Sequence, residues 1–172
     1  MKADVSIPLF FSDMFAGYDF PEHAGYVVHI LCIGGSLSFT LHRTRYNISS
    51  GDYVILTNGQ FASQVSQSED CRVLVMSFAE SFITLNAIRS NYGVFGHLSL
   101  LQNPVMKLST EDFEKCLADM KRLRERLGDT GHLFREELVG TLLKAHIVDL
   151  YDIHARAGQC TGIASRPAAL MR

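Results

Sequence analysis

No stretch of this sequence is apolar for long enough to cross a bilayer, and the first twenty residues, interrupted by Lys2 and Asp4, hold no run of signal-peptide length. No membrane partner is expected, and the predicted compartment is the cytoplasm. Basic charge is equally scarce, with 16 Lys and Arg against 18 Asp and Glu and a net charge of −2. A chain gripping nucleic acid through its phosphates would show a basic excess, because released counterions supply much of that affinity. The one basic run, Lys121 to Arg126, includes Glu125 and lies near Asp119, and reads as a solvated helix face. The four cysteines, Cys32, Cys71, Cys116 and Cys160, have no pair at metal-ligand or redox spacing, so they read as free thiols. Also missing are a Gly-x-Ser-x-Gly nucleophile motif and a glycine loop placed to cradle a phosphate ahead of a helix. Nothing positive points to an enzyme, and no cofactor is expected.

What is present is a chain of 172 residues, 47% hydrophobic and 20% charged, enough for one domain with a real core. Residues 1–20 carry Phe10, Phe11, Phe15 and Phe20 in a segment too short for its own core, and read as an arm lying on something else. Residues 21–80 read as strand after strand, "GYVVHILCI", "SLSFTLH", "RYNI", "DYVIL", "FASQVSQ" and "CRVLVMSFA", separated by Gly, Ser and Asn turns. That spacing predicts a barrel or sandwich.

Gly34-Gly35 suits a two-residue hairpin turn, which would set Cys32 opposite Leu37, Ile30 opposite Phe39 and His29 opposite Thr40. Alternation then places Val28, Ile30, Cys32, Leu37, Phe39 and Leu41 on one apolar, inward face. Val27, His29, Leu31, Ser38 and Thr40 form the other, mixed face, where His29 is expected to be structural. Further along, Gln64 and Ser66 share a phase with Ala62 and could supply polar contacts inside an apolar pocket; the competing phase turns Phe61 and Val65 inward. Tyr26, Tyr46 and Tyr53 could line either face.

Residues 81–108 read as a short helix, ending at Gly93, and a connection containing Pro104. Residues 109–157 read as two helices. Ser109 followed by Asp112 resembles a capping box, with Phe113, Cys116, Met120, Leu123 and Leu127 at heptad-like spacing up to Gly128. The second helix, about His132 to Arg156, has one apolar stripe of Phe134, Leu138, Leu142 and Ala145 and another of Val139, Leu143, Ile147 and Leu150. Two stripes are more than a small barrel needs, so one is expected to meet a second copy of the chain, unless helix and barrel consume both.

The stretch "GYVVHILCIGGSLSFTLHRTRYNISSGDYVIL", with two long helices after it, resembles the cupin barrel and helix pair of AraC-type transcription regulators. The resemblance covers residues 20–157 and rests on pattern and element order. It implies a mainly β, cupin-like jelly roll followed by an antiparallel helix pair, with a small-molecule effector in the barrel and a homodimer through the helices. In the family DNA is bound by a C-terminal helix-turn-helix pair; residues 158–172 are too few for one, so they are expected to be a linker toward it. Laid on the metal-binding motifs of cupins, Gly35 puts Val28 where the glutamate ligand belongs, Pro21 and His23 at the two histidines, and Ala62 at the fourth ligand. One of four ligand positions survives, too few to hold a divalent ion, so no metal is expected.

The resulting ligand-binding candidates are His23, Tyr26, Gln64 and Ser66. The dimerisation candidates are Phe113, Met120, Leu123, Leu127, Val139, Leu143, Ile147 and Leu150. Two rival readings are a small cupin enzyme with a non-standard metal site built from His23, His29 and His42, and a dimerisation module whose barrel is filled.

Overall fold

The structure is a computed structural model that describes residues 7–15, 25–57, 61–84 and 103–160. Among the described residues there are eight strands, β1 (Leu9–Ser12), β2 (Tyr26–Gly34), β3 (Ser36–Leu41), β4 (Thr44–Ser49), β5 (Asp52–Leu56), β6 (Ser63–Gln67), β7 (Arg72–Ala79) and β8 (Val105–Lys107), with helices α1 (Glu80–Thr84), α2 (Thr110–Leu127) and α3 (Arg135–Cys160). The strands make a five-stranded sheet in the order β1-β7-β2-β5-β8 and a three-stranded sheet in the order β4-β3-β6. The paired strands run antiparallel. This is the jelly roll with two C-terminal helices that the strand spacing and element order predict.

The large sheet takes strands from both sides of the 21–80 segment: β1 from the arm pairs with β7, and β8 from the connection pairs with β5. The helix pair is antiparallel, since Asp112 meets Arg156, Lys115 meets Asp149 and Asp119 meets His146. Ser109 caps α2 as its sequence suggests, its hydroxyl accepting from the Asp112 N–H at 3.1 Å, and Gly128 ends the helix. The short helix is described only as far as Thr84, so its predicted end at Gly93 lies outside the described residues.

One expectation is overturned. Gly34-Gly35 does not turn a hairpin, because β2 pairs with β5 and β7 while β3 pairs with β4 and β6. Gly35, at φ +67°, is the corner where the chain leaves one sheet for the other, and His29 faces Ile55 and Met76 rather than Thr40. A Cβ at Gly35 would come within 2.7 Å of the Asp70 and Cys71 backbone, so this corner requires glycine for space as well as for conformation. The assignment of faces survives, since alternation is a property of each strand and not of the turn joining them.

Two cores result, one on each face of the large sheet. Between the sheets lie Val28, Ile30, Cys32, Leu37, Phe39, Leu41, Ile48, Val54, Leu56, Val73 and Val75. Behind the large sheet, Leu31, Tyr53, Leu74, Met76 and Phe78 pack against Cys116, Met120 and Leu123 of α2 and Val139, Leu143, Ile147, Leu150 and Ile153 of α3. Every residue of β5 is buried, as a strand covered on both faces must be.

Candidate functional site

The hydrophobic side chains of both sheets meet in the space between them. Val28 and Ala62, at the positions where metal-binding cupins place ligands, both pack on this inner core. Neither offers a side-chain lone pair. The inner thiol of Cys32 is pushed up to about 11 by burial first, with Cys71 and Asp52 adding to it, so it stays protonated.

The arm enters this space. β1 holds it along β7, and beyond β1 the ring of Phe15 is buried inside the inner core, edge-on to Phe39 with 6.2 Å between ring centroids. The Phe15 carbonyl accepts from Gln67 Nε2 at 2.9 Å. Two residues earlier, Asp13 takes a two-point hydrogen bond from the Arg124 guanidinium of α2 at 2.7 and 3.0 Å, which also holds its carboxyl below the usual range. The segment 9–15 therefore touches the large sheet, the barrel interior and the helix pair.

One polar atom of the interior is left over. Ser77 of β7 lies opposite Val28 in the antiparallel register and shares its inward face. Its hydroxyl is buried without a hydrogen-bond partner, the sole such side-chain atom among the described residues. An orphaned hydroxyl of this kind costs about 1–3 kcal/mol of desolvation that a bound acceptor or donor would recover.

Of the sequence-predicted ligand residues, Tyr26 stands on β2 at the edge of this region, its ring stacked on Phe10 at 5.9 Å. His23 lies outside the described residues. Gln64 and Ser66 are exposed on the outside of β6, which corrects their assignment to the pocket phase. The cause is local. Gln64 has φ +51°, and the pairing with β3 shifts register between Ser38 and Thr40, so Ala62 and Val65 both pack inward although they are three residues apart. Gln64 is instead part of an outer polar group, its side-chain carbonyl accepting from Thr40 and its backbone carbonyl from Arg45. Sequence reasoning missed Phe15 and Ser77; an inward-phase serine in an otherwise apolar strand was the available signal.

The eight dimerisation candidates sit in the chain's own outer core. Met120, Leu123, Val139, Leu143, Ile147 and Leu150 are buried there, and Phe113 and Leu127 are partly covered by it. These side chains are consumed within one copy, a correction to their use as a seam. The other stripe is only partly outward: Leu142 packs against the same outer core and Leu138 is half-buried, while Ala145, Phe134 just ahead of α3, 64% exposed, and Val148 beside the stripe, 45% exposed, face out. The rival metal triad also comes apart, because His29 points from the large sheet toward the helices while His42 is exposed in the turn between β3 and β4. Among the described residues no group of three or more His, Cys, Asp or Glu side chains is placed to hold a metal ion. No helix among them is long and apolar enough to cross a membrane.

No family model matches the chain, and no curated protein matches it. Solved structures do. The AraC-like transcriptional activator CuxR superposes with a TM-score of 0.52 at 12% identity, over 75% of this chain and 43% of CuxR. ToxT from Vibrio cholerae, bound to (E)-4-(8-methylnaphthalen-1-yl)but-3-enoic acid, gives a TM-score of 0.43 at 12% identity over 82% of this chain and 54% of ToxT. The Schizosaccharomyces pombe Cnp3 cupin domain gives 0.30 at 9% identity, over 49% of this chain and 74% of that one. The chain thus spans 43% of CuxR and 54% of ToxT, about half of each. Over the part that superposes on CuxR it shares the fold of an AraC-like regulator, a cupin-like jelly roll carrying a helix pair.

Proposed function

We propose that this chain is the effector-sensing and dimerisation part of an AraC-type transcription regulator, and that its effector enters the space between the sheets in place of the Phe15 ring. The observation that carries the reading is Phe15 itself, a residue of the arm buried in the apolar interior and tied through Asp13 to α2. The shared fold with CuxR supports it.

The lining sets the chemistry of the effector. The hydrophobic side chains of the inner core offer no charge, and the one buried carboxylate beside them, Asp52, is already held by Ser49 and Lys107, so a charged group would be desolvated there without a free partner, at a cost of several kcal/mol. An uncharged molecule fits: a flat or acyl apolar body filling the Phe15 berth, with one hydrogen-bonding group for the Ser77 hydroxyl. Its uptake requires Phe15 to leave, and Phe15 is two residues from the Asp13–Arg124 contact, so occupancy of the barrel changes what α2 feels. A ligand shifts this balance only by the difference in its affinity for the two arrangements.

Dimerisation, in this reading, uses the exposed side chains of Phe134, Ala145 and Val148 along α3, with the half-buried Leu138 beside them, and DNA is contacted by a separate helix-turn-helix region. The test is thermal shift of the wild type and of Phe15→Ala against neutral aromatic and medium-chain acyl compounds, with sedimentation at several concentrations. Stabilisation that is stronger in Phe15→Ala, in a dimer disrupted by Phe134→Asp, is expected. A monomer indifferent to every compound in both forms overturns the proposal and leaves the filled-barrel reading; stoichiometric metal in the purified protein would favour the enzyme.

A further inference from the structure

Behind the barrel wall, four polar side chains from four elements form a continuous hydrogen-bonded line. His29 Nδ1 of β2 lies 2.6 Å from the Tyr53 hydroxyl of β5, that hydroxyl lies 2.9 Å from His146 Nε2 of α3, and His146 Nδ1 lies 3.2 Å from Asp119 Oδ2 of α2. All three distances are within hydrogen-bond range. His29, Tyr53 and His146 are buried, whereas the Asp119 side chain is 34% exposed. We propose that this line is a proton relay, in which a proton taken up by the network rests on His146 beside Asp119 and is registered at the barrel wall as a change of tautomer in His29.

The directions of the bonds follow from the donors available. An ionised Asp119 only accepts, so the neutral His146 ring carries its hydrogen on Nδ1 and offers a lone pair at Nε2. Tyr53 has a single hydroxyl hydrogen, which must go to that lone pair. The Tyr53 oxygen then accepts from His29, whose hydrogen is also on Nδ1. Every bond points from the sheet toward the helices. When one proton is added, His146 donates from both nitrogens, to Asp119 and to the Tyr53 oxygen. Tyr53 must turn its hydrogen to His29 Nδ1, and His29 must carry its own on Nε2. The balance is one proton gained at His29 Nε2 and passed along the line: the His29 Nδ1–H and the original Tyr53 O–H bonds break, the Tyr53 oxygen and His146 Nε2 each gain a hydrogen, and the hydrogen bonds between them reverse.

Two features place the charge on His146 and not on His29. Of the two imidazoles it is His146 that bonds Asp119, and a cation on His29 would be buried between Tyr53 and Phe78 with no anion among the described residues to meet it. Burial first, and the proximity of His146 second, hold the His29 imidazole well below its ordinary value. The Tyr53 phenol is pushed the other way by burial and by Cys116 and Asp119, so it keeps the hydrogen the relay needs. Among the described residues, the remaining groups facing the line come from the helix pair. Cys116 of α2 is held protonated at about 12, and Asp112 and the Lys115–Asp149 ion pair lie around it. From β7 the neighbours are Met76 and Phe78, neither titratable.

His29 stands between Val28 and Ile30, both of which line the barrel interior. Its tautomer is therefore set in the wall that an effector would touch. By reciprocity, anything that favours one tautomer alters the proton affinity of the His146–Asp119 contact between the helices. That use as a signal rests on the proposed sensing function; the relay itself requires no effector.

Long-range ¹H–¹⁵N spectra of the full chain labelled on histidine test it, with His29→Gln and His146→Gln giving the assignments. Above neutral pH both rings are expected as Nδ1–H tautomers. On acidification His146 is expected to become the imidazolium while His29 changes to Nε2–H at the same midpoint and stays neutral. Tyr53→Phe removes only the hydroxyl and should leave His29 unmoved through the His146 transition. An Nε2–H His29 above neutral pH, a His29 that ignores the His146 transition in the wild type, or a response that survives Tyr53→Phe overturns the relay. None of these readings depends on an effector, so failure here is distinguishable from failure of the sensing function.

Discussion

The two faces of the large sheet are built from alternate residues of the same strands and solve different problems. Toward the small sheet, Val28, Ile30, Val54 and Leu56 present hydrocarbon alone, and the one hydroxyl among them, on Ser77, is unsatisfied. Toward the helices, His29 and Tyr53 interrupt an equally buried core, yet each finds a partner, and the line they begin runs to Asp119 at the surface. An apolar face tolerates exchange of its contents, because dispersion contacts are non-directional. A face carrying directed hydrogen bonds fixes one docking geometry for the helices. On the proposed function the inner face receives a molecule, while the outer face holds the helix pair in place.

Substitutions on each side test that contrast. Phe39→Ala removes a fully buried ring from the inner core and the edge contact with Phe15, and should cost about 3–5 kcal/mol in urea unfolding. A bulky apolar solute added during the titration should recover part of that loss. Tyr53→Phe keeps the shape of the outer core but orphans two buried ring nitrogens, for an expected cost of about 1–3 kcal/mol that no apolar solute recovers. Equal recovery in both variants would erase the distinction between the faces.

Acid separates them without mutation. His29, and to a lesser degree the partly buried His154, are held below their ordinary values by burial. Below about pH 6.5 the unfolded chain therefore binds protons that the folded chain refuses, so stability should fall with falling pH by up to about 1.4 kcal/mol per unit for each such proton. Urea midpoints at stepped pH values read this slope, which should flatten in His154→Gln only by that residue's share. Smallest of all, Asp13→Asn breaks a solvent-exposed pair and should cost under about 1 kcal/mol. Its expected signature is a faster hydrogen exchange of the 9–15 segment, with the sheet behind it unchanged.

Much of this architecture is readable from the residues. Period-two alternation marks Val28, Ile30 and Cys32 as inner and leaves His29 and Leu31 on the other face, and Ser109 marks the start of α2. The Gly34-Gly35 signal is real, but a glycine pair serves a corner as well as a hairpin, and local sequence cannot choose between them. The two stripes of α3 are equally apolar, so only docking on the sheet decides that Val139, Leu143, Ile147 and Leu150 turn inward. Least legible is the polar line, whose members are 24, 93 and 27 residues apart along the chain. In β6, Gln64 in the left-handed region shifts the side-chain phase, which no count of alternating residues anticipates.

The corner at Gly35 also bears on how the molecule comes to exist. Because β2 is denied its neighbour in sequence, its partners β5 and β7 must arrive from far along the chain, and the loop entropy of those closures precedes any gain. The β3–β4 hairpin and the helix pair can assemble from local contacts in microseconds, while the wall between them waits. The sheet that separates the two cores is thus the last common piece, and neither core can close before the other's wall is in place.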